Sequence, residues 1–411
     1  MTAKSKIWTP ILIVSCLILM TGFAIRASFG VFQIPIASEF GWLRSEFSLA
    51  IAIQNLAWGI GQPIFAAIAE KFGDRRAIFL GALTYAAGLI LSSVAITPSA
   101  HQLLEIMVGF GIAGTGFGVI LAIVGRAASD ENRSVVLGIA TASGSLGQFI
   151  GPPIAAALLT QMNWPSVFLI FAVAILSTML FLPFLRSETT ATNAAAEKTM
   201  SKMLLNAVKD PTYTLIFLGF FSCGYQLGFI TAHFPAFITE ICSPISVGGA
   251  LDSIGVNNTI LGGVAIGIIG LTNIIGTVGV GMLGKHFPKK YLLAIIYTGR
   301  TLTSTWFIMM PMSPTTVVIF SVLMGFLWLA TVPLTAGLIA HIYGLRYMGT
   351  LYGIVFFSHQ LGSFLGVWLG GALHDIYGTY TLVWWVGIGV GAISAILHLP
   401  IRETPLKAQP A

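Results

Sequence analysis

The chain has 411 residues, of which 56% are hydrophobic and 8% charged, with a formal net charge of +6 and a mean hydropathy of +0.90. Soluble domains carry roughly a quarter of their residues as Asp, Glu, Lys or Arg, so this composition excludes a water-facing globular surface and leaves lipid as the main solvent. The positive balance does not point to nucleic acid, because the basic residues lie scattered in short loops between apolar runs instead of forming one patch.

In chain order, apolar stretches long enough to cross a bilayer as helices are predicted over 8–34, 46–68, 77–97, 102–125, 135–159, 164–186, 211–238, 258–284, 290–311, 314–340, 349–373 and 380–401. The expected fold is an all-α membrane protein of twelve transmembrane helices in two six-helix pseudo-repeated bundles, 1–186 and 211–411. The polar stretch 187–210 reads as a cytoplasmic linker between them. An even span count puts both termini on one side, and every loop Lys and Arg except Arg44 falls on that side, leaving Arg26 and Arg300 inside spans. The positive-inside rule then predicts both termini of this multi-pass protein in the cytoplasm, and a cell membrane, a bacterial inner membrane, is the expected location.

Shifting the second half over the first by 215 residues aligns Gly138, Gly147 and Gly151 with Gly353, Gly362 and Gly366, and the loop 70–76 with 285–291. A shift of 200 places Gln226 on Arg26, Phe229 on Phe29, His233 on Gln33 and Pro235 on Pro35. Two like-oriented repeats suit a carrier whose halves rock about a central site. Gly138, Gly147, Gly151 and Pro152 resemble the fifth-helix signature of the major facilitator superfamily, with Ala155 and Ala156 in place of its closing glycine pair. Ala66, Glu70, Gly73, Arg75 and Arg76 resemble a degraded copy of that superfamily's basic loop motif. The segment 26–32 with Glu39, Phe40, Gly41 and Trp42 is similar to a bacterial branch resembling monocarboxylate porters. Those carriers are known for an arginine in the eighth helix, where this chain has Asn273.

Charged groups inside a span are costly and mark partners or cavities, so Arg26 is the leading candidate for binding an anion. Its planar fork suits a carboxylate, and all fourteen acidic residues are expected in loops or at helix ends. Arg300 is a secondary candidate, expected to brace neighbouring helices. Helical spacing groups Phe29 and Gln33 with Arg26, and Gln226, Phe229 and His233 with Tyr225 beside them. The remaining polar candidates at membrane depth are Gln54, Asn55 and Trp58, Gln148, Asn273, and His359 with Gln360. His233 and His359 are candidates for taking up a proton.

The glycine pattern 109–114 lies in an apolar span with no preceding strand, which argues against a dinucleotide loop. Cys16, Cys223 and Cys242 have no metal or disulfide spacing. The expectation is a secondary active transporter, not an enzyme, with no cofactor or metal. Its cargo is a small organic anion such as a carboxylate, moved by alternating access with a proton or in exchange, by a monomer that has no nucleic-acid partner. The rivals are efflux of drugs or other amphipathic compounds and, from another class, a non-transporting receptor or scaffold.

Overall fold

The computed structural model describes residues 7–129, 133–185, 204–344 and 348–405. Twelve long helices cross it: α1 (Pro10–Phe40), α2 (Arg44–Phe72), α3 (Asp74–Ser92), α4 (Pro98–Ala127), α5 (Arg133–Leu159), α6 (Trp164–Phe184), α7 (Pro211–Ile241), α8 (Asn258–Leu283), α9 (Lys289–Met309), α10 (Pro314–Tyr343), α11 (Met348–Tyr377) and α12 (Thr381–His398). Eleven of them are long and apolar enough to span a membrane by length and composition. The other, α9, has the length at 21 residues but carries Lys289, Lys290 and Arg300. Lys4, Lys6, Arg186, Lys198, Lys202, Arg346, Lys407 and most of the stretch 187–210 lie outside the described residues.

Local chemistry fixes where the helices begin. Thr9, Thr97, Asp210 and Ser313 each cap a helix with a side-chain oxygen, and each is followed by proline at the first helical position. Proline loses nothing there, because that N–H has no intrahelical partner. Inside α1 the helix tightens to a 3₁₀ turn over Phe29–Phe32, then resumes over Gln33–Phe40 and ends at Gly41 with φ 67°. Pro35 supplies the cause, since it cannot donate to the carbonyl of Val31 and its ring crowds that turn. The expected end of this span at 34 is thus six residues short. The extension puts Arg26 near mid-helix and not past the middle.

The helices divide into two six-helix bundles. Large apolar side chains such as Leu83, Val173, Ile295, Leu302 and Ile396 stand exposed on the peripheral helices α3, α6, α9 and α12, the surface that lipid covers. In the first bundle the would-be Cβ of Gly147 lies 2.0 Å from the Met20 carbonyl oxygen, and that of Gly151 lies 2.2 Å from the Ala24 oxygen. The second bundle repeats this packing, with Gly362 at 2.1 Å from the Phe221 oxygen and Gly366 at 2.2 Å from the Tyr225 oxygen. Only glycine permits such approach of α5 to α1 and of α11 to α7. The same contacts correct the expected register of α7 on α1. Met20 corresponds to Phe221 and the cap Thr9 to Asp210, a shift of 201, so Leu227 and not Gln226 takes the place of Arg26.

The bundles meet along two seams that are not uniform. Call the end carrying residues 7 and 405 the near face and the opposite end the far face. Toward the far face Gly30 abuts the Thr231 carbonyl oxygen, Gly371 abuts Ser48 and Ser45, and Gly263, Gly267 and Gly270 lie on α5. Toward the near face the same stripes continue as Gly138, Gly281 and Gly353, where an added Cβ meets nothing within 4 Å. The bundles are therefore closed together at the far face and diverge toward the near one.

This contrast predicts opposite outcomes for chemically identical changes. Gly147→Ala forces α1 and α5 apart and lowers stability by about 1–3 kcal/mol, whereas Gly138→Ala is neutral or gains up to about 1 kcal/mol of helix propensity. Thermal unfolding of the two purified variants in detergent measures the difference.

Candidate functional site

Arg26 is 8% exposed and points into the protein, away from the lipid. One Nη donates to the Asn55 side-chain oxygen at 3.1 Å, and the guanidinium lies over the Trp58 ring at 4.8 Å. Its Nε has no hydrogen-bond partner. Asn55 is itself held by the Ile51 carbonyl at 2.8 Å, and the Trp58 indole donates to Gln62 at 3.1 Å. The cation thus rests on an amide and a ring, two neutral partners that hold it without cancelling its charge.

From Trp58 the site crosses to the second bundle. Trp58 meets Phe356 of α11 edge-on with centroids 5.0 Å apart, and Phe356 stacks on His359 at 5.3 Å. His359 bonds Gln360 at 2.8 Å, and Gln360 lies on Gly59 of α2. His359 Nε2 and Gln360 Nε2 are buried without partners, as is Nε2 of Gln148. Asn55 and Trp58 of α2 thus hold Arg26 of α1, and Gln360 of α11 meets the same stretch of α2 at Gly59, whereas His359 turns to α7, its ring 5.0 Å from Phe220 and its backbone on Gly224.

Other expected residues join the bundles rather than line that region. Gln33 meets His233 Nδ1 at 3.3 Å, while His233 Nε2 lies 2.7 Å from the Val367 carbonyl. A carbonyl only accepts, so Nε2 carries the proton and Nδ1 accepts from Gln33. The Trp328 indole donates to Gln148 at 3.1 Å. Asn273 donates to Ser145 of α5 at 2.8 Å, and its oxygen accepts the Leu329 N–H at 2.9 Å. That N–H is freed where α10 breaks between Leu327 and Thr331.

A third group sits inside single bundles. Arg300 is fully buried, with its Nη atoms on the Cys223 sulfur at 3.2 Å and the Cys223 carbonyl at 3.4 Å. Tyr85 occupies the matching place in the first bundle, 215 residues earlier, and donates to the Gly22 carbonyl. Arg300 is thus a brace between α9 and α7. Tyr225 and Gln226 bond the Val383 and Gly387 carbonyls of α12 at 3.3 and 2.9 Å. With Phe229 and Trp384 they line a small cavity inside the second bundle. Phe29 packs on Phe168 of α6 at 5.7 Å, within the first bundle.

One expectation is overturned. The acidic residues do not all lie at loops or helix ends, for Glu105 of α4 is 0% exposed and accepts from Gln54 at 2.6 Å. His101, 1% exposed, stands one turn away, its Nε2 3.6 Å from Glu105. The sequence carried the signal, a histidine and a glutamate four apart at the start of an apolar run. Starting α4 at 102 instead of 98 placed Glu105 near a surface.

A family model described as the Major Facilitator Superfamily matches residues 14–366 and 244–411. The chain belongs to that superfamily. This transporter is 27% identical over 391 residues to an uncharacterized MFS-type transporter, YcxA, of Bacillus subtilis, covering 91% of this chain and 90% of the relative. It is 25% identical over 367 residues to monocarboxylate transporter 13 of Rattus norvegicus, covering 87% of this chain and 80% of that one. With monocarboxylate transporter 12 of Xenopus laevis it shares 21% over 403 residues, with 91% and 84% covered.

The transporter's Asn273 contacts give a direct stability test. Asn273→Leu leaves the buried Leu329 N–H without its acceptor, at a cost of about 1–3 kcal/mol. Its unfolding midpoint in detergent falls below that of Thr277→Ala, which removes only a bond donated to the same oxygen.

Proposed function

We propose that this transporter carries a small organic anion, a monocarboxylate in the first instance, and that Arg26 holds its carboxylate. The observation behind this reading is a guanidinium near mid-membrane whose described partners are an amide oxygen and an indole ring. A buried charge with neutral partners is costly, and an incoming carboxylate relieves that cost with two parallel charge-assisted bonds. Asn55, Trp58 and Gln360 complete the proposed site, with Gln148 on α5 as a further candidate. The relatives named monocarboxylate transporters support the same solute class.

We further propose alternating access with the near face cytoplasmic, from the excess of loop Lys and Arg on that side. The far face is then outward, and the conformation described is inward-facing. Its outer closure is polar. Arg44 pairs with Glu240 and donates to the Tyr380 hydroxyl at 2.8 Å, His374 lies 3.4 Å from Glu240, and the Ser45 N–H donates to Asp375 at 2.9 Å. On the near face Arg126–Asp74, Lys289–Glu403 and Arg402–Asp210 each stay within one bundle. Arg44, the one basic residue expected outside, thus ties the bundles together in the inward-facing form and releases them in the outward-facing one.

Two measurements test these readings. Arg26→Ala in proteoliposomes weakens binding by about 3 kcal/mol, roughly a hundredfold, and abolishes lactate counterflow, while Arg26→Lys retains part of it. Unchanged kinetics in Arg26→Ala defeat the assignment. Arg44→Gln shifts the population outward by about 1.4 kcal/mol, roughly tenfold. A cysteine placed by Thr231→Cys, with Cys242→Ser as background, then reacts correspondingly faster with an outside, membrane-impermeant maleimide.

A further inference from the structure

Glu105 and His101 take no part in the anion site as described, yet they form a buried acid–base pair inside the first bundle. Glu105 lies seven residues below the far end of α4, about 10 Å at the helical rise. One of its oxygens accepts from Gln54; the other has no partner, and neither ring nitrogen of His101 has one. The 3.6 Å between that free oxygen and His101 Nε2 is too long for a hydrogen bond. An ionised carboxylate with a single neutral donor is expensive at this depth, whereas a proton on Glu105 or on His101 relieves it.

The surroundings say which way the pair opens. His101 sits in the first turn of α4 against Phe47 at 6.0 Å, Phe168 at 6.3 Å and Trp42 at 5.9 Å, under the far face. Beyond it, the neighbouring Gln102 bonds the Glu46 carbonyl at 3.1 Å. On the inner side Gln54 is next in sequence to Asn55, which holds Arg26. From α3, Tyr85 lies within electrostatic reach of both Glu105 and Arg26, its hydroxyl committed to the Gly22 carbonyl. The titratable or charged groups facing Glu105 are therefore His101 on its own helix, Tyr85 on α3 and, through Gln54 and Asn55, Arg26 on α1.

We infer that the Glu105–His101 pair is the proton-binding site of the transport cycle, loaded from the far-face water and linked to the solute site through Gln54, Asn55 and Arg26. Loading adds one proton to the free carboxylate oxygen with no other bond made or broken, and unloading returns it to water. Removing that proton leaves a negative charge on the partner of Gln54, next in sequence to the Asn55 that holds Arg26, and that charge disfavours the anion. A protonated Glu105 leaves Arg26 free to take the anion, so proton and anion travel together. The inference rests on the alternating-access reading above and not on which carboxylate is carried.

The solute-free test is infrared difference spectroscopy of the purified full-length transporter between acidic and alkaline pH. The wild type shows a protonated-carboxyl C=O band that disappears on deprotonation, Glu105→Gln lacks it, and His101→Gln shifts its midpoint. A band that persists in Glu105→Gln, or a wild type with no titrating buried carboxyl, overturns the inference. In proteoliposomes with L-lactate as probe, Glu105→Gln loses accumulation driven by a pH gradient and keeps counterflow, which needs no net proton movement. Accumulation at the wild-type level in Glu105→Gln overturns it as well, and so does a His101→Gln protein whose carboxyl midpoint is unmoved. A wild type that titrates the band but moves no carboxylate defeats the solute assignment and leaves the proton site standing.

Discussion

The constraint that organises this transporter is the cost of holding a guanidinium inside a membrane. Lipid offers Arg26 nothing to bond, so the protein must supply partners or the charge must be met by something that enters. The first bundle supplies just enough to hold the side chain inward. An amide oxygen fixes one Nη and the Trp58 face lies beneath the plane, yet neither carries a negative charge. Arg300 shows the contrasting solution, a guanidinium closed in by the sulfur and carbonyl of Cys223 and committed to joining two helices. The same residue type inside a span thus has two different settings, one with an amide and a ring and one closed by a sulfur and a carbonyl.

Glycine makes the architecture around Arg26 possible. Gly147 and Gly151 let α5 ride against the backbone of α1, and Gly362 and Gly366 do the same for α11 and α7. These contacts make each bundle a rigid body. Between the bundles such glycine contacts are confined to the half toward the far face, Gly30 on the Thr231 carbonyl, Gly371 on Ser48 and Gly270 on Phe149, and polar bonds add to them: Gln33 to His233, Asn273 to Ser145, Trp328 to Gln148, and the Arg44 cluster. Toward the near face Gly138, Gly281 and Gly353 meet nothing across the seam. The division suits motion between the halves and none within them.

Much of this was legible from the chain. The span order and the glycine ladder follow from local rules of hydropathy and steric size, and the structure reproduces both, with the ends of individual spans displaced by a few residues. The register of α7 on α1 was misjudged by one because Gln226 and Arg26 look alike in polarity, while the contacts that set register, Met20 and Phe221 under glycines, carry no polar label. Glu105 was misplaced for a related reason. Hydropathy falls smoothly at the end of a span, and four residues of uncertainty separate a surface carboxylate from one sealed beneath Trp42 and Phe47.

By itself the sequence determined that this is a twelve-helix, two-bundle membrane carrier and that Arg26 is an uncommon charge within it, because both statements depend on composition and one-dimensional spacing. Tertiary structure alone decided which polar groups face one another. A helix presents its side chains on every side, and only the packing of α2 against α1, of α7 against α12 and of α4 against α2 determines that Asn55 meets Arg26, that Gln226 turns to α12, and that Gln54 reaches Glu105. Partnership between residues far apart in the chain is a property of helix rotation and depth, to which neighbours in sequence give no access.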